Sequence, residues 1–361
     1  MKYFIKTFGC QMNAADSDFV ADALERRGYE RNDAPENSDF IVVNTCTVRQ
    51  HAEDRALSYL GTLRKIKTRN PAARIFLIGC AATRLGKEIK RRFPHVDGIV
   101  PAPRIESFDA EFGGESVSSA RVGQRGKISA SPNGQRAREF VTISRGCSNF
   151  CSYCIVPYVR GPHISRPQRE IISDVEDVVK SGPGRITLLG QNVNSYSSEG
   201  MSFARLLKTV SAAEGVESVG FLTSHPRDMS DEIIIAAAGE PKVRKHFHLP
   251  AQSGSDRILS LMNRGYTRAR YLKVIESVRR NCPSAEITTD IIVGYPSEKP
   301  EEFEDTLSLI REVRFDGFFA FKYSPREGTA SAVMADDVPV HEKERRLALA
   351  LELCPSKAAR A

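Results

Sequence analysis

Apolar positions in the first hundred residues follow two spacings. Short, nearly unbroken apolar runs at 2–7, 40–44, 74–78 and 96–100 predict strands, the second and third of them buried on both faces. Between them the period changes to that of a helix. Phe19, Val20, Ala23 and Leu24 share one face of a helix predicted over 16–27 and stopped by Gly28, and helical patterns recur at about 52–67 and up to Arg92. This β-α-β-α-β order predicts a parallel sheet with helices on its faces.

After a stretch rich in Gly, Ser, Ala and Arg with no periodicity, the alternation resumes at residue 140. Strands are predicted at 140–144, 185–189, 218–222, 245–249, 286–293 and 317–323. Helices lie between them, for instance at 171–180, 255–262, 271–280 and 301–313. Six β-α units in series predict a partial, open (β/α)6 barrel of parallel strands with its site at the strands' C-terminal ends. The expected fold class is therefore α/β throughout. An N-terminal parallel α/β domain occupies 1–115, a linker 116–136, and the barrel with a helical C-terminal tail 137–361.

The cysteines fall on this map in two groups. Cys147, Cys151 and Cys154 form a C-x3-C-x2-C loop immediately after the first barrel strand, with no fourth cysteine in step. A closed structural zinc site takes four protein ligands, and an electron-carrying iron–sulfur cube has a thiolate at each of its four corners. Three thiolates on a cube leave one iron open for a small molecule, so this spacing predicts chemistry at that iron. Cys10, Cys46 and Cys80 each sit just past a predicted strand of the first sheet, on the edge where open α/β sheets bind ligands. Neighbouring strands are about 4.8 Å apart. Three thiols at equivalent strand ends can therefore converge, and a second cluster is expected there. A single cysteine at such a place would ordinarily be packing.

Composition narrows the setting. With 361 residues, 41% hydrophobic and 27% charged, the chain has enough length for two domains with separate cores. No apolar run approaches the length of a bilayer span, and the first residues lack a signal-peptide core. A cytoplasmic protein is expected, its eight cysteines reduced and suited to metal. The formal net charge of +7 permits a polyanionic partner; the local basic clusters at 87–92 and 264–270 read equally well as solvated helix faces.

The motifs together resemble the radical S-adenosylmethionine enzymes. The set Thr7-Phe8-Gly9-Cys10-Gln11-Met12-Asn13, Asn44-Thr45-Cys46 and Ile78-Gly79-Cys80 narrows the resemblance to the methylthiotransferases. So do Leu189-Gly190-Gln191-Asn192-Val193-Asn194, Leu249-Pro250-Ala251-Gln252-Ser253-Gly254-Ser255 and Tyr323-Ser324-Pro325-Arg326-Glu327-Gly328-Thr329. Gly9-Cys10-Gln11-Met12-Asn13 is most similar to the MiaB subfamily, whose members act on N6-dimethylallyladenosine in tRNA.

The resemblance implies that Cys147, Cys151 and Cys154 hold a [4Fe-4S] cluster binding S-adenosyl-L-methionine, and that they act in catalysis. It implies that Cys10, Cys46 and Cys80 hold an auxiliary [4Fe-4S] cluster carrying the sulfur to be installed. The implied activity is a transferase adding a methylthio group to C2 of N6-isopentenyladenosine at position 37 of tRNA, next to the anticodon. The alternatives are a methylthiotransferase acting on a ribosomal protein side chain or on threonylcarbamoyladenosine, and a non-catalytic iron–sulfur carrier. Gln191 and Asn192 occupy the place where related enzymes recognise the methionine end of the cofactor. Ser224, Gln252 and Asp290 occupy further polar rim positions with the same expected role. The implied partners are the anticodon stem-loop of tRNA and a one-electron reductant such as flavodoxin or ferredoxin, with no membrane and a monomeric state. Members continue into a small RNA-binding β-barrel, the TRAM domain, which this chain is expected to lack. A further departure is Gly161-Pro162-His163-Ile164, which has no acidic residue before Ser165-Arg166-Pro167.

Among the remaining polar residues, His246 and His248 alternate on one strand face and read as structural histidines rather than metal ligands. His225 is a candidate substrate contact. Arg166 is suited to a carboxylate or phosphate, or to bracing the cluster loop. Cys282 and Cys354 are assigned to no cluster.

Overall fold

The first sheet is parallel and runs in the order β2-β1-β3-β4-β5, from strands β1 (Lys2–Thr7), β2 (Glu30–Arg31), β3 (Phe40–Thr45), β4 (Arg74–Gly79) and β5 (Gly98–Pro101). The computed structural model describes residues 1–48, 50–112 and 139–355, with the backbone only at 111 and 112. The linker expected over 116–136 lies outside the described residues.

Strands β3 and β4 are central, which is why they read as continuous apolar runs: both of their faces are covered. Ile41, Val43, Ile75 and Leu77 pack one side of the sheet; Phe40, Val42, Phe76 and Ile78 pack the other. The helices are α1 (Gln11–Arg26), α2 (Gln50–Thr62), α3 (Arg64–Arg69) and α4 (Cys80–Arg92). Helix α1 starts earlier than its apolar periodicity predicts. Its first turns bury Asn13, Asp16 and Ser17, a polar stripe at helical spacing that runs on into Val20 and Leu24. The single helix expected over 52–67 is interrupted at Leu63, between α2 and α3.

The barrel strands are β6 (Phe140–Thr142), β9 (Arg185–Leu189), β12 (Ser218–Phe221), β13 (His246–His248), β14 (Glu286–Val293) and β15 (Gly317–Lys322). They form two parallel three-stranded sheets, β6-β9-β12 and β13-β14-β15. A parallel bridge between Val219 and Val243 joins them, with Val219 N–H donating to Lys242 O at 2.8 Å and Arg244 N–H to Val219 O at 2.8 Å. This is the six-stranded open barrel that the alternation predicts. A short antiparallel pair, β7 (Ser144–Arg145) with β8 (Ile164–Ser165), brackets the cysteine loop. Another, β10 (Ser197–Ser198) with β11 (Met201–Ser202), precedes the next helix.

The outer layer comprises α5 (Val156–Arg160), α6 (Gln168–Ser181), α7 (Phe203–Ala212), α8 (Asp231–Gly239), α9 (Asp256–Leu261), α10 (Arg268–Asn281), α11 (Pro300–Val313) and α12 (Val340–Glu352). Several start where the sequence supplies a cap: Ser202, Ser230, Ser255 and Thr267 each accept a backbone N–H from the first turn of α7, α8, α9 and α10. One continuous apolar core fills the barrel wall, and Cys282 and Cys354 belong to it. Among the described residues, no helix is long and apolar enough to cross a membrane.

Candidate functional site

Cys10, Cys46 and Cys80 sit at the C-terminal ends of β1, β3 and β4, three adjacent strands of one sheet. Cys10 caps the start of α1 and Cys80 opens α4 with no intervening loop. The turn into Cys10 demands a glycine. Gly9 has φ of +148°, and a Cβ there would lie 2.8 Å from Cys46 Cβ and 2.5 Å from Asn13 Oδ1. That same crowding shows how closely the first two cysteine segments approach. Asn13 fixes them together: its Nδ2 donates to Asn44 Oδ1 at 2.9 Å and to Thr45 O at 3.0 Å. Its Oδ1 accepts from the Cys10 thiol at 3.3 Å. The Cys80 thiol stands raised to about 12, mainly by burial, with the Arg160 cation lowering it and Cys46 and Cys10 raising it; Cys80 thus lies within electrostatic range of both other sulfurs.

The second trio is held from every side of the barrel mouth. Gly146, at φ +73°, turns the chain into Cys147 so closely that a Cβ would meet Pro162 O at 1.9 Å. Cys147 N–H donates to Gly161 O at 3.1 Å and Cys154 N–H to Cys151 O at 2.9 Å. Ser152 donates its N–H to Met262 O at 3.0 Å and its hydroxyl to Leu261 O at 2.8 Å. Asn263 Nδ2 holds Phe150 O at 2.9 Å, and the Arg227 guanidinium holds Asn149 Oδ1. The Cys154 thiol is pushed up to about 12 by burial and by Cys151, with Cys147 adding to the effect; Cys147 is raised by burial and by Cys151. Cys147 and Cys154 thus each lie within electrostatic range of Cys151.

Arg264 completes this site, and the sequence does not single it out. It lies in the 264–270 basic cluster that reads as a solvated face, yet it is only 4% exposed. Its Nη1 is 3.2 Å from Cys151 Sγ, while Nη2 donates to Pro250 O at 2.8 Å. His225 is also buried: its Nδ1 accepts the Arg227 backbone N–H at 3.2 Å and its Nε2 stands 4.0 Å from Cys151 Sγ. Burial, Arg264 and Arg227 hold the imidazole down at about 2, hence neutral, with its remaining N–H toward the sulfur.

The polar rim residues share a deficit. Gln191 Nε2 and Oε1, Asn192 Oδ1, Ser224 Oγ and Gln252 Oε1 are all buried without a hydrogen-bond partner. A buried orphan costs about 1–3 kcal/mol. Four such side chains follow three different strands, β9, β12 and β13, at one end of the barrel. Two non-glycine residues there, Thr223 (φ +71°) and Gln252 (φ +70°), take up left-handed backbone that a β-branched or long side chain rarely adopts. This donor and acceptor set fits a small polar ligand, of the kind an amino-acid end would supply. Asp290 differs: its carboxylate is 3.4 Å from His248 Nε2, so it is already engaged.

One short helix connects the two trios. Helix α5 begins two residues after Cys154, and its Ile155 and Val159 side pack against Cys80 and Ala102. From the end of α5, Arg160 Nε reaches Cys80 Sγ at 3.2 Å and Nη2 reaches Asp16 at 2.9 Å. Asp16 also accepts from Arg145 at 2.6 Å. Asn13, Asp16, Arg160 and Arg264 are thus site residues that apolar patterning alone does not reveal. The signal available was the polar stripe on α1.

Other candidates resolve simply. His246 Nε2 and His248 Nδ1 lie 2.9 Å and 3.1 Å from the same Thr288 hydroxyl, so both are structurally satisfied. Arg166 binds Thr142 O at 2.7 Å and Asp174 at 2.8 Å, bracing β6. His163, in place of an acidic residue, bridges Ser165 Oγ at 3.0 Å and Ser195 Oγ at 3.4 Å. Among the described residues no three His, Cys, Asp or Glu side chains are close enough to hold one metal ion, as a closed zinc site with bonds of about 2.3 Å requires. A cube bonds each thiolate to a different iron and spreads them apart.

Residues 2–101 match Uncharacterized protein family UPF0004, and residues 141–310 match the Radical SAM superfamily. The chain is 44% identical to the tRNA-2-methylthio-N(6)-dimethylallyladenosine synthase of Endomicrobium trichonymphae, over 98% of this chain and 83% of that protein. It is 42% identical to the enzyme of the same name from Clostridium novyi, over 96% of this chain and 79% of that one. Among solved structures, the radical S-adenosylmethionine methyltransferase TsrM from Kitasatospora setae, with cobalamin and [4Fe-4S] cluster bound, superimposes with a TM-score of 0.67. The match has 12% identity and covers 92% of this chain and 77% of that one, a likeness of fold.

Proposed function

The chain belongs to the tRNA-2-methylthio-N(6)-dimethylallyladenosine synthase family, and from that premise we propose that it adds a methylthio group to C2 of N6-isopentenyladenosine at position 37 of tRNA. It is a transferase of the radical S-adenosylmethionine class. In this reading Cys147, Cys151 and Cys154 hold one [4Fe-4S] cluster and Cys10, Cys46 and Cys80 a second. Gln191, Asn192, Ser224 and Gln252 receive S-adenosyl-L-methionine, with Asp290 beside them. The auxiliary-cluster domain takes 1–115 and the barrel domain 137–361, joined by 116–136. The partners are the tRNA anticodon stem-loop and a one-electron donor such as flavodoxin or ferredoxin; the protein acts as a monomer in the cytoplasm.

One observation carries the reading: Ile155 and Val159, directly after the Cys154 segment, pack on Cys80. The segment that leaves the barrel trio thus rests directly against a cysteine of the other trio. Bound to the two trios, the clusters with S-adenosylmethionine supply radical chemistry able to take hydrogen from an unactivated carbon, which general acid–base groups could not do. The chain's own residues bind, orient and exclude water. Arg264 and neutral His225 direct N–H groups at Cys151. The orphaned Gln191 amide and Gln252 side-chain oxygen are free to bond a ligand, and their desolvation cost is already met before binding. The first sheet holds its trio at strand ends and the barrel trio's loop is pinned by hydrogen bonds to Leu261, Met262 and Asn263, which limits the motion between reacting partners. An anticodon loop is single-stranded, so extruding its base costs little stacking energy.

The test is anaerobic reconstitution followed by incubation with reductant, S-adenosylmethionine and an anticodon stem-loop bearing N6-isopentenyladenosine. Mass analysis of the digested nucleosides should show the 2-methylthio product. A protein with two full clusters that leaves this RNA unmodified but changes the mass of a ribosomal protein would overturn the substrate.

A further inference from the structure

A buried ion pair lies beside Cys80, and the binding of clusters does not by itself require it. Asp16 is fully buried on α1, and Arg160 is 7% exposed. Replacing such a pair by apolar groups of similar volume is often neutral or stabilising, because desolvating two ions costs several kcal/mol each. Its placement therefore points to a use other than stability. The Arg160 guanidinium is a rigid fork, with Nη2 donating to Asp16 Oδ2 at 2.9 Å and Nε donating to Cys80 Sγ at 3.2 Å. Arg145 binds the other Asp16 oxygen at 2.6 Å and Glu106 at 3.0 Å, and its side chain is 18% exposed. Asp16 thus fixes the plane in which Arg160 faces the sulfur.

We propose that Arg160, oriented by Asp16, is a positioning residue that sets the reduction potential of the cluster held by Cys10, Cys46 and Cys80. The inference rests on the reading that these three cysteines hold an iron–sulfur cluster. Hydrogen bonds to ligand sulfurs and local net charge are main determinants of cluster potential. A cationic N–H on Cys80 draws electron density from the sulfur and favours the reduced member of the one-electron couple. Burial strengthens the effect, since no water competes for the thiolate.

The experiment uses the full chain carrying Cys147→Ala, Cys151→Ala and Cys154→Ala, so that one cluster remains. Its potential is read by EPR during anaerobic titration with dithionite. Iron analysis of this parent comes first: absence of iron refutes the cluster assignment itself. With four irons present, Arg160→Gln should move the midpoint to a more negative potential, and Arg160→Lys should do so to a smaller extent. Arg145→Gln removes a charge from the same Asp16 without touching Cys80, and should shift it less than Arg160→Gln. An unshifted or more positive midpoint in Arg160→Gln overturns the inference, as do equal shifts from Arg145→Gln and Arg160→Gln. If Arg160→Gln loses its iron, Arg160→Lys decides in the same way: a negative shift supports the inference and an unshifted midpoint overturns it. Loss of iron in both Arg160 variants would make the residue structural and equally overturn it.

Discussion

The Asn13 carboxamide donates to the Asn44 side-chain oxygen at 2.9 Å, tying the helix that follows Cys10 to the strand that precedes Cys46. Both residues are fully buried, and Asn44 in turn donates to Asn13 O at 2.7 Å. A reciprocal pair of this kind fixes two cysteines that lie far apart in sequence. It also explains why a motif reading Cys10-Gln11-Met12-Asn13 ends on asparagine: the side chain must donate to Thr45 O and accept from the Cys10 backbone N–H at once. Asn13→Ala leaves buried acceptors without a donor and should cost about 1–3 kcal/mol. Iron retained by a chain lacking the Cys147, Cys151 and Cys154 thiols should fall sharply, whereas iron bound by those three thiols should hardly change. Equal iron in the two backgrounds would remove Asn13 from the auxiliary site.

Gly146→Ala should spoil the barrel trio selectively. The added Cβ meets backbone of the 161–162 turn, which cannot swing aside as a side chain could. A loss of at least about 2 kcal/mol is expected, together with loss of the cluster on Cys147. Iron on the Cys10, Cys46 and Cys80 trio should persist, which iron and sulfide analysis of the variant would check.

Gln191→Leu is expected to act in opposite directions on stability and binding. The amide nitrogen and oxygen of Gln191 are both buried and unpartnered, so removing them should stabilise the empty protein by about 1 kcal/mol. Affinity for S-adenosylmethionine should fall roughly tenfold, the worth of a lost hydrogen bond in a dry site. Thermal unfolding and equilibrium binding, measured side by side, would reveal this. A variant that is destabilised with unchanged affinity would instead make Gln191 a structural residue.

The C-terminal helix should loosen in acid. Hydrogen bonds from Arg345 and Arg346 hold the Glu342 carboxyl at about 2, against an ordinary 4.5. A carboxyl depressed in the folded state stabilises that state fully above its unfolded value, and the contribution is lost as pH falls toward the folded value. Between about pH 4.5 and pH 2, amides of α12 should therefore lose exchange protection before those of β14 and β15. Glu342→Gln should shrink the pH step while weakening the helix at neutral pH, the remainder coming from Glu344, which Lys322 also holds below its ordinary value.

Legibility differed by kind of interaction. The parallel sheet and the barrel could be read because burying β3, β4 and the barrel strands imposes continuous apolar runs, and burial is a property of each residue in its own segment. The C-x3-C-x2-C loop could be read because its ligands are neighbours along the chain. Helix α1 was misjudged at its start because its buried face opens with Asn13, Asp16 and Ser17, which local patterning assigns to solvent.

The sequence by itself therefore determined the two α/β units, the two cysteine trios and the strand ends that carry them. Which charges stand beside those sulfurs was decided only when the layers packed. Arg264 looks like one more surface cation until it is found against Cys151, and Arg160 meets Cys80 and Asp16 only because α5 docks against the start of α4. The physical reason is separation along the chain. Periodicity records what each segment buries, but an ion pair spanning 144 residues leaves no periodic trace in either segment.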